Sequence, residues 1–394
     1  MNILRVITSM NPAHGGPAQG IRNSIPALEQ IGVSNEVLCF DAPDEPYLYK
    51  DDFTIHAIGP AKGPYAYCPA LHPWLLNNLQ RFQAVVIHGL WLYNSYGTYR
   101  ALKQYRAQHK DAPKLFVMPH GMLDPYFQKA TGRRLKALRN WLFWHIVEQY
   151  TINNAHGILF TCEQELLLAR KTFPQYRPKK ELNIGYGIQP PPPYAAKLTH
   201  AFNSVCTTRV DQPYWLFLSR IHKKKGVDLL IKTYLKLFNE NHNLPALVIA
   251  GPGLDSSYGK EITSLAQFNN QISFTGMLVG DAKWGAIYGC EAFVLPSHQE
   301  NFGIAIAEAL ACEKPVLITD KVNIWREIEV GGGGLVETDT EKGVFTLLTR
   351  WLKLPETKKK EMATSAKQTY EAIFTIEKAA TRMAETLKSN SYVL

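Results

Sequence analysis

The sequence predicts an α/β protein of two doubly wound parallel sheets, and three observations carry that expectation. Short apolar runs alternate with longer segments of helical periodicity, the pattern of parallel strands joined by crossover helices. Four consecutive prolines at 190–193 interrupt the alternation once, and it then restarts. A chain of 394 residues is long enough for two domains, each with its own core.

In the first half the strand candidates are residues 3–9, 36–40, 84–88, 114–118 and 157–161. The prolines lack amide hydrogens and hold φ near −65°, so they neither continue a helix nor enter a central strand, and they favour an extended connection. Beyond them the strand candidates are 214–219, 244–250, 272–275, 292–296 and 315–319. The expected division is therefore a domain at 1–190, a linker at 191–212 and a second domain at 213–394. The polar, Lys- and Ala-rich helical tail at 341–389 is assigned to the outside of that second domain. Ligands of open α/β sheets bind beyond the carboxyl ends of the strands, so the site is expected between the domains.

Composition narrows the function. At 46% hydrophobic and 20% charged residues, disorder and low-complexity scaffolds are excluded. Six scattered cysteines without a C-x-x-C pair give neither a zinc knuckle nor a disulfide framework and suit a reducing cytoplasm. The N-terminal MNILRVITSM reads as a first strand rather than a signal peptide, and no apolar run reaches the 18 residues of a membrane span. Of the net charge of +9, most lies in residues 1–200, where 21 Lys/Arg face 13 Asp/Glu; that half is expected to meet something anionic.

Several cofactor motifs are absent. In Gly251-Pro252-Gly253, Ser256 stands where a dinucleotide fingerprint needs its third glycine, and no G-x-x-x-x-G-K-[ST], H-E-x-x-H or D-x-D occurs. No cofactor and no catalytic metal are expected. Three positive signals remain. His14-Gly15-Gly16-Pro17 follows the first strand and leads into a helix with Ile21, Ile25 and Leu28 on one face; it reads either as a Gly-Pro turn or as a phosphate-approaching helix start. Ser219-Arg220 to Lys225-Gly226 follows the first strand of the second domain, where three lysines would ordinarily be a solvated face. Arg220, read there as ending a buried strand, calls for an anionic partner such as a diphosphate. Glu300, Phe302, Gly303, Ile304 and Glu308 lie where a strand turns into a helix, and the two carboxylates can accept hydrogen bonds from sugar hydroxyls while the helix start meets phosphate.

The Glu300–Glu308 spacing, with Phe302-Gly303 inside it and Glu-Ala-Leu-Ala after it, resembles the E-x7-E signature of glycosyltransferase family 4. Gly15-Gly16, His88-Gly89, Pro119-His120-Gly121, Ser219-Arg220, Lys225-Gly226 and Gly251-Pro252-Gly253 follow in the same order as in that family, from about residue 3 to about 335. The resemblance implies a GT-B fold, two Rossmann-like domains facing across a cleft, with a nucleotide-sugar donor on the second and an acceptor on the first. It implies metal-free transfer with retention of anomeric configuration. Carried over by position, Arg220 and Lys225 would bind the diphosphate and Glu308 the ribose. Glu300 and the Phe302-Gly303-Ile304 backbone would hold the sugar, with Gly251 beside the donor, and Gly15 and Gly16 would approach the phosphates. His120 would line the reacting sugar; a lone His at a strand end is otherwise structural.

The expected activity is that of a cytoplasmic hexosyltransferase extending a surface polysaccharide or glycolipid, with no nucleic-acid partner. Lys129, Arg133, Arg134, Lys136 and Arg139 precede Trp141, and Leu135, Leu138, Leu142 and Ile146 share one helical stripe. This helix at 129–146 either lies on anionic lipid, making the protein peripheral on the inner membrane face, or packs its stripe on the first sheet. Rival readings are a nucleotide-sugar epimerase or phosphorylase on the same fold, and a non-catalytic polyanion-binding protein using the basic half.

Overall fold

The computed structural model describes residues 1–129, 134–206 and 212–391. The chain divides into two compact units, one of Met1–Ile188 together with Ile376–Leu394, the other of Gln189–Thr375.

The first unit is built on a parallel sheet of β1 (Asn2–Val6), β2 (Ser34–Cys39), β3 (Ile55–Ala57), β4 (Ala84–His88), β5 (Lys114–Met118), β6 (Gly157–Phe160) and β7 (Glu181–Asn183), in the order 3-2-1-4-5-6-7. The central strands are apolar on both faces because helices cover both. Leu4, Val85, Ile87 and Val117 pack on Leu71, Leu102 and Trp144 on one side. Ile3, Val86 and Phe116 pack on Leu28, Met383 and Leu387 on the other. The expected strands all form, with ends shifted by up to three residues. Sequence reading missed β3 and β7, three-residue edge strands that are only partly buried and so lack a continuous apolar run.

The second unit carries β8 (Tyr214–Leu218), β9 (Ala246–Ala250), β10 (Ile272–Gly276), β11 (Ala292–Leu295), β12 (Val316–Thr319) and β13 (Gly334–Glu337), all parallel in the order 10-9-8-11-12-13. In both sheets the strand order reverses beside the first strand, between β1 and β4 and between β8 and β11. Those are the points where crossovers leave for opposite faces and a crevice opens at the carboxyl edge.

Two boundary expectations need correction. The last helix, Ile376–Ser391, belongs to the first unit, not the second: Ile376, Ala380, Met383, Ala384 and Leu387 form its apolar stripe and bury against Ile3, Ala84 and Met118. The stripe announces a helix with one buried face but not which sheet that face covers. The segment read as a linker contains a helix, Ala196–Asn203, packed so closely on the helix Gly280–Gly289 that a Cβ at Gly285 would lie 2.0 Å from the Leu198 carbonyl oxygen.

The helix Arg134–Phe143 continues through one π-helical turn, Trp144–Glu148, into Gln149–Asn154. It buries Trp144, Glu148 and Ile152, while the predicted stripe faces outward, with Leu135 85% and Ile146 67% exposed. The reading in which that stripe packs on the sheet is thereby overturned. Arg133 lies outside the described residues. Among the described residues no helix is long and apolar enough to cross a membrane.

Candidate active site

In the second unit the loops after β8 and β9 are laced together: the Ser219 amide donates to the Ala250 carbonyl (3.0 Å) and that of Ile221 to the Pro252 carbonyl (2.8 Å). Gly251 makes this possible, since a Cβ there would lie 1.8 Å from the Ser219 oxygen and its φ is +147°. Its missing side chain serves the approach of two loops. Arg220 stands between those two bonds, two residues beyond the strand, and is exposed. The premise of a buried strand end is corrected accordingly. Among the described residues the guanidinium has no hydrogen bond or ion pair, so all its donors face outward.

Lys225 ends a single 3-10 turn, Lys223–Lys225, and Gly226 follows in the left-handed region at φ +66°. A Cβ on Gly226 would lie 2.0 Å from the Pro296 carbonyl oxygen, which presses this turn onto the loop after β11. There the Lys225 ammonium, its side chain 8% exposed, pairs with Glu300, whose side chain is 20% exposed. The cation expected to meet a diphosphate thus already has one carboxylate, and two of its three N–H donors remain.

Glu300 is fixed through its backbone to the loop after β12, its amide donating to the Lys321 carbonyl (2.9 Å) and its carbonyl accepting from Asn323 (2.9 Å). Phe302 points into the core against Phe374, ring centroids 5.6 Å apart, so only its backbone can face a ligand. Gly303 caps the helix Ile304–Ala311 at φ +79°, and the first amides of that helix have no intrahelical acceptor. Four residues on, or about 6 Å along the axis, Glu308 accepts from Lys283 Nζ at 2.8 Å. Burial pushes the Glu308 carboxyl up, and Lys283 opposes the rise. Sequence reasoning missed Lys283: it comes from the helix Gly280–Gly289, and no local motif links it to Glu308.

In the first unit Gly15 (φ +87°) and Gly16 open the helix Gly16–Gln30, and a Cβ on either would meet nothing within 4 Å. That bare space suits the close approach of a ligand, and Ile21, Ile25 and Leu28 bury the helix as expected. His120 follows β5 at φ +51°. Its Nε2 lies 2.9 Å from His88 Nδ1 at the end of β4, the rings stacked at 24°. The next residue is held by a carboxylate no motif announced: Glu165 accepts from the Gly121 amide (2.5 Å) and from the Thr161 amide and hydroxyl (2.8 and 2.6 Å). Burial and the nearby Arg5 guanidinium drive His120 down to about 3, and burial, His120 and Arg5 drive His88 well below the usual imidazole range. Both rings are neutral at physiological pH.

Among the described residues, no three His, Cys, Asp or Glu side chains are grouped to hold a metal ion.

Residues 15–181 match the family described as "Glycosyl transferase 4-like domain" and residues 205–369 that described as "Glycosyl transferases group 1". An uncharacterized glycosyltransferase of Methanocaldococcus jannaschii is 32% identical over 36% of this chain and 37% of its own length. The alpha-D-kanosaminyltransferase of Streptomyces kanamyceticus is 28% identical over 32% of each. The matched stretches thus span about a third of these curated relatives. HepE of Anabaena, solved with UDP and glucose, superposes with a TM-score of 0.74 at 17% identity, covering 99% of this chain and 100% of that one. Sucrose-phosphate synthase of Thermosynechococcus elongatus gives a TM-score of 0.72 at 18% identity over 98% of both. The fold is the GT-B fold.

Proposed function

Because the chain belongs to the glycosyl transferases group 1 family, we propose that it is a retaining, metal-independent hexosyltransferase. It moves a hexose from a nucleotide-diphosphate sugar to a saccharide or lipid-linked acceptor of a surface polysaccharide or glycolipid. The observation that carries this reading is the second unit's carboxyl edge, where two lysine-tethered carboxylates, Glu300 and Glu308, flank a helix start after β11, and an exposed arginine with no partner among the described residues follows the neighbouring strand β8. HepE, solved with UDP-glucose, supports the donor class.

Arg220 and the remaining donors of Lys225 take the diphosphate, Glu308 accepts from the ribose hydroxyls, and Glu300 with the amides at Gly303 and Ile304 holds the sugar. Gly15 and Gly16 leave bare space that suits phosphate oxygens, and Gly251 lets the Ser219 and Pro252 loops frame the donor. As the bond from the anomeric carbon to the diphosphate breaks, the acceptor oxygen attacks on the same face and the departing phosphate oxygen takes its proton. Charge grows on that phosphate, where preorganised cations lower the barrier most. No side chain need form a covalent intermediate.

The enzyme is placed in the cytoplasm, resting peripherally on anionic lipid where a lipid-linked acceptor would lie; the outward stripe Leu135, Leu138, Leu142 and Ile146, beside exposed Lys136 and Arg139, supports the lipid contact. Flotation with anionic vesicles and not with neutral ones is expected, and its loss in Leu135→Ser/Leu138→Ser; equal recovery of free protein in both would remove the membrane from the proposal. The principal test is a thermal-shift panel of nucleotide sugars with and without chelator. Stabilisation by one donor that survives chelation is expected, and no response to any donor would overturn the assignment.

A further inference from the structure

The two histidines of the first unit share a hydrogen bond whose proton can be assigned. Each neutral ring has one N–H, and the contact between His88 Nδ1 and His120 Nε2 at 2.9 Å holds one proton. If His120 supplied it, His88 would carry its own proton on Nε2. That nitrogen is buried and has no hydrogen-bond partner among the described residues. A buried N–H without an acceptor is the costlier orphan, whereas a bare ring nitrogen forgoes only one weak acceptance.

The surroundings push the same way. His88 and Arg5 line one small cavity together with Met118, His120, Tyr186 and Met383. Arg5 is 2% exposed; its Nε donates to Asn35 Oδ1 (2.9 Å), its Nη2 rests on the Met383 sulfur (3.6 Å), and no carboxylate among the described residues pairs with it. A guanidinium is donor only and its charge acts on the His88 ring, so the unbonded ring nitrogen is stabilised as a lone pair and destabilised as an N–H. The β4 register and the bond from Asn94 Nδ2 to the His88 carbonyl (3.0 Å) keep the ring in place.

We propose that His88 is a positioning residue that donates from Nδ1 to His120 Nε2 and so holds His120 in its Nδ1–H tautomer, presenting a hydrogen-bond donor rather than a base. His120 Nδ1 has no partner within the described residues, leaving that N–H for a bound saccharide oxygen; this last step rests on the transferase reading. The consequence is chemical: His120 stabilises negative charge or orients a hydroxyl through donation, and the acceptor's proton leaves by another route.

Long-range 1H–15N correlation of the imidazoles in the full-length protein, assigned with His88→Phe and His120→Gln, reads the tautomers without substrate or turnover. Both residues are expected as Nδ1–H with bare Nε2; a His120 ring protonated on Nε2 overturns the inference. Kinetics supply the second arm. His88→Phe should lower kcat by about ten- to a hundredfold, the loss typical when a residue that orients an imidazole is removed, with the donor KM changed less than about twofold. His88→Asn, whose amide can donate from nearly the same position, should recover most of it. Equal losses in both variants would make His88 merely structural and refute the positioning role. A protein that transfers no sugar at all would still give the spectrum, so failure of the transferase reading and failure of this inference are separable.

Discussion

Arg220 and Lys225 are both assigned to the diphosphate, yet their settings differ enough that substituting each should separate catalysis from stability. Arg220 is exposed and has no hydrogen bond or ion pair among the described residues, so Arg220→Ala should change folding by no more than about 0.5 kcal/mol. Lys225 is nearly buried and tied to Glu300. Its loss strands a carboxylate that would cost about 3–5 kcal/mol if fully buried; the one-fifth exposure of Glu300 brings this to roughly 1–3 kcal/mol. For a unit of this size each kcal/mol moves Tm by about 2–4 °C. Arg220→Ala should therefore melt within about 2 °C of the parent, and Lys225→Ala several degrees lower. In catalysis Arg220 is not silent. A cation aimed only at charge developing on the leaving group is worth about 3 kcal/mol, so Arg220→Ala should lose on the order of a hundredfold in kcat. The assay is nucleoside-diphosphate release at saturating donor alongside a thermal melt of each variant. Unchanged kcat in Arg220→Ala would refute the assignment.

Glu308→Gln keeps the shape but not the charge that accepts from hydroxyls, so the donor KM should rise about tenfold or more while kcat changes little, as initial-rate measurements will show. Two glycines should behave oppositely: Gly251→Ala forces a Cβ to 1.8 Å from the Ser219 oxygen and should cost more than about 3 kcal/mol by denaturant melt, whereas Gly16→Ala meets open space and should fold normally while weakening donor binding in calorimetry. Glu148 is fully buried in the π-turn, accepts from the Trp91 amide and Ser95 hydroxyl, and is pushed up to about 7 by burial. An acid with a raised pKa binds more protons folded than unfolded. Its contribution is therefore complete below about pH 4.3 and is lost as pH rises through 7, on the order of 3 kcal/mol. Glu148→Gln should flatten that slope; a parallel pH–stability curve for both proteins would contradict it.

Interior strands were legible because burial on both faces leaves an apolar run with no polar alternation, as in AVVI of β4 and LVIA of β9. Edge strands such as ELN of β7 carry no such mark, because pairing on one side only does not demand apolar side chains. The glutamate pair was legible because both members sit on one loop and helix, so their spacing records their geometry. Lys283 was not, since it reaches Glu308 from another helix 25 positions upstream and nothing local encodes that meeting. Glu165 and Glu148 were invisible for a similar reason: each is a buried carboxylate whose partners are backbone amides and hydroxyls, groups every sequence contains. Arg220 was read as ending a buried strand but lies exposed two residues past it, because the apolar residues just before it said nothing about how far the chain had already emerged.

The return of Ile376–Ser391 to the first sheet has a consequence for biosynthesis. Most domains made early in a chain can complete themselves while later ones are still being synthesised. Here the covering for Ile3, Ala84 and Met118 is encoded after the whole of Gln189–Thr375. At ribosomal speeds those intervening residues take roughly 10–40 s to assemble. During that interval one face of the N-terminal sheet has only the helix Gly16–Gln30 as its cover, a nascent-chain client for chaperones, while the unit translated second is the first able to finish.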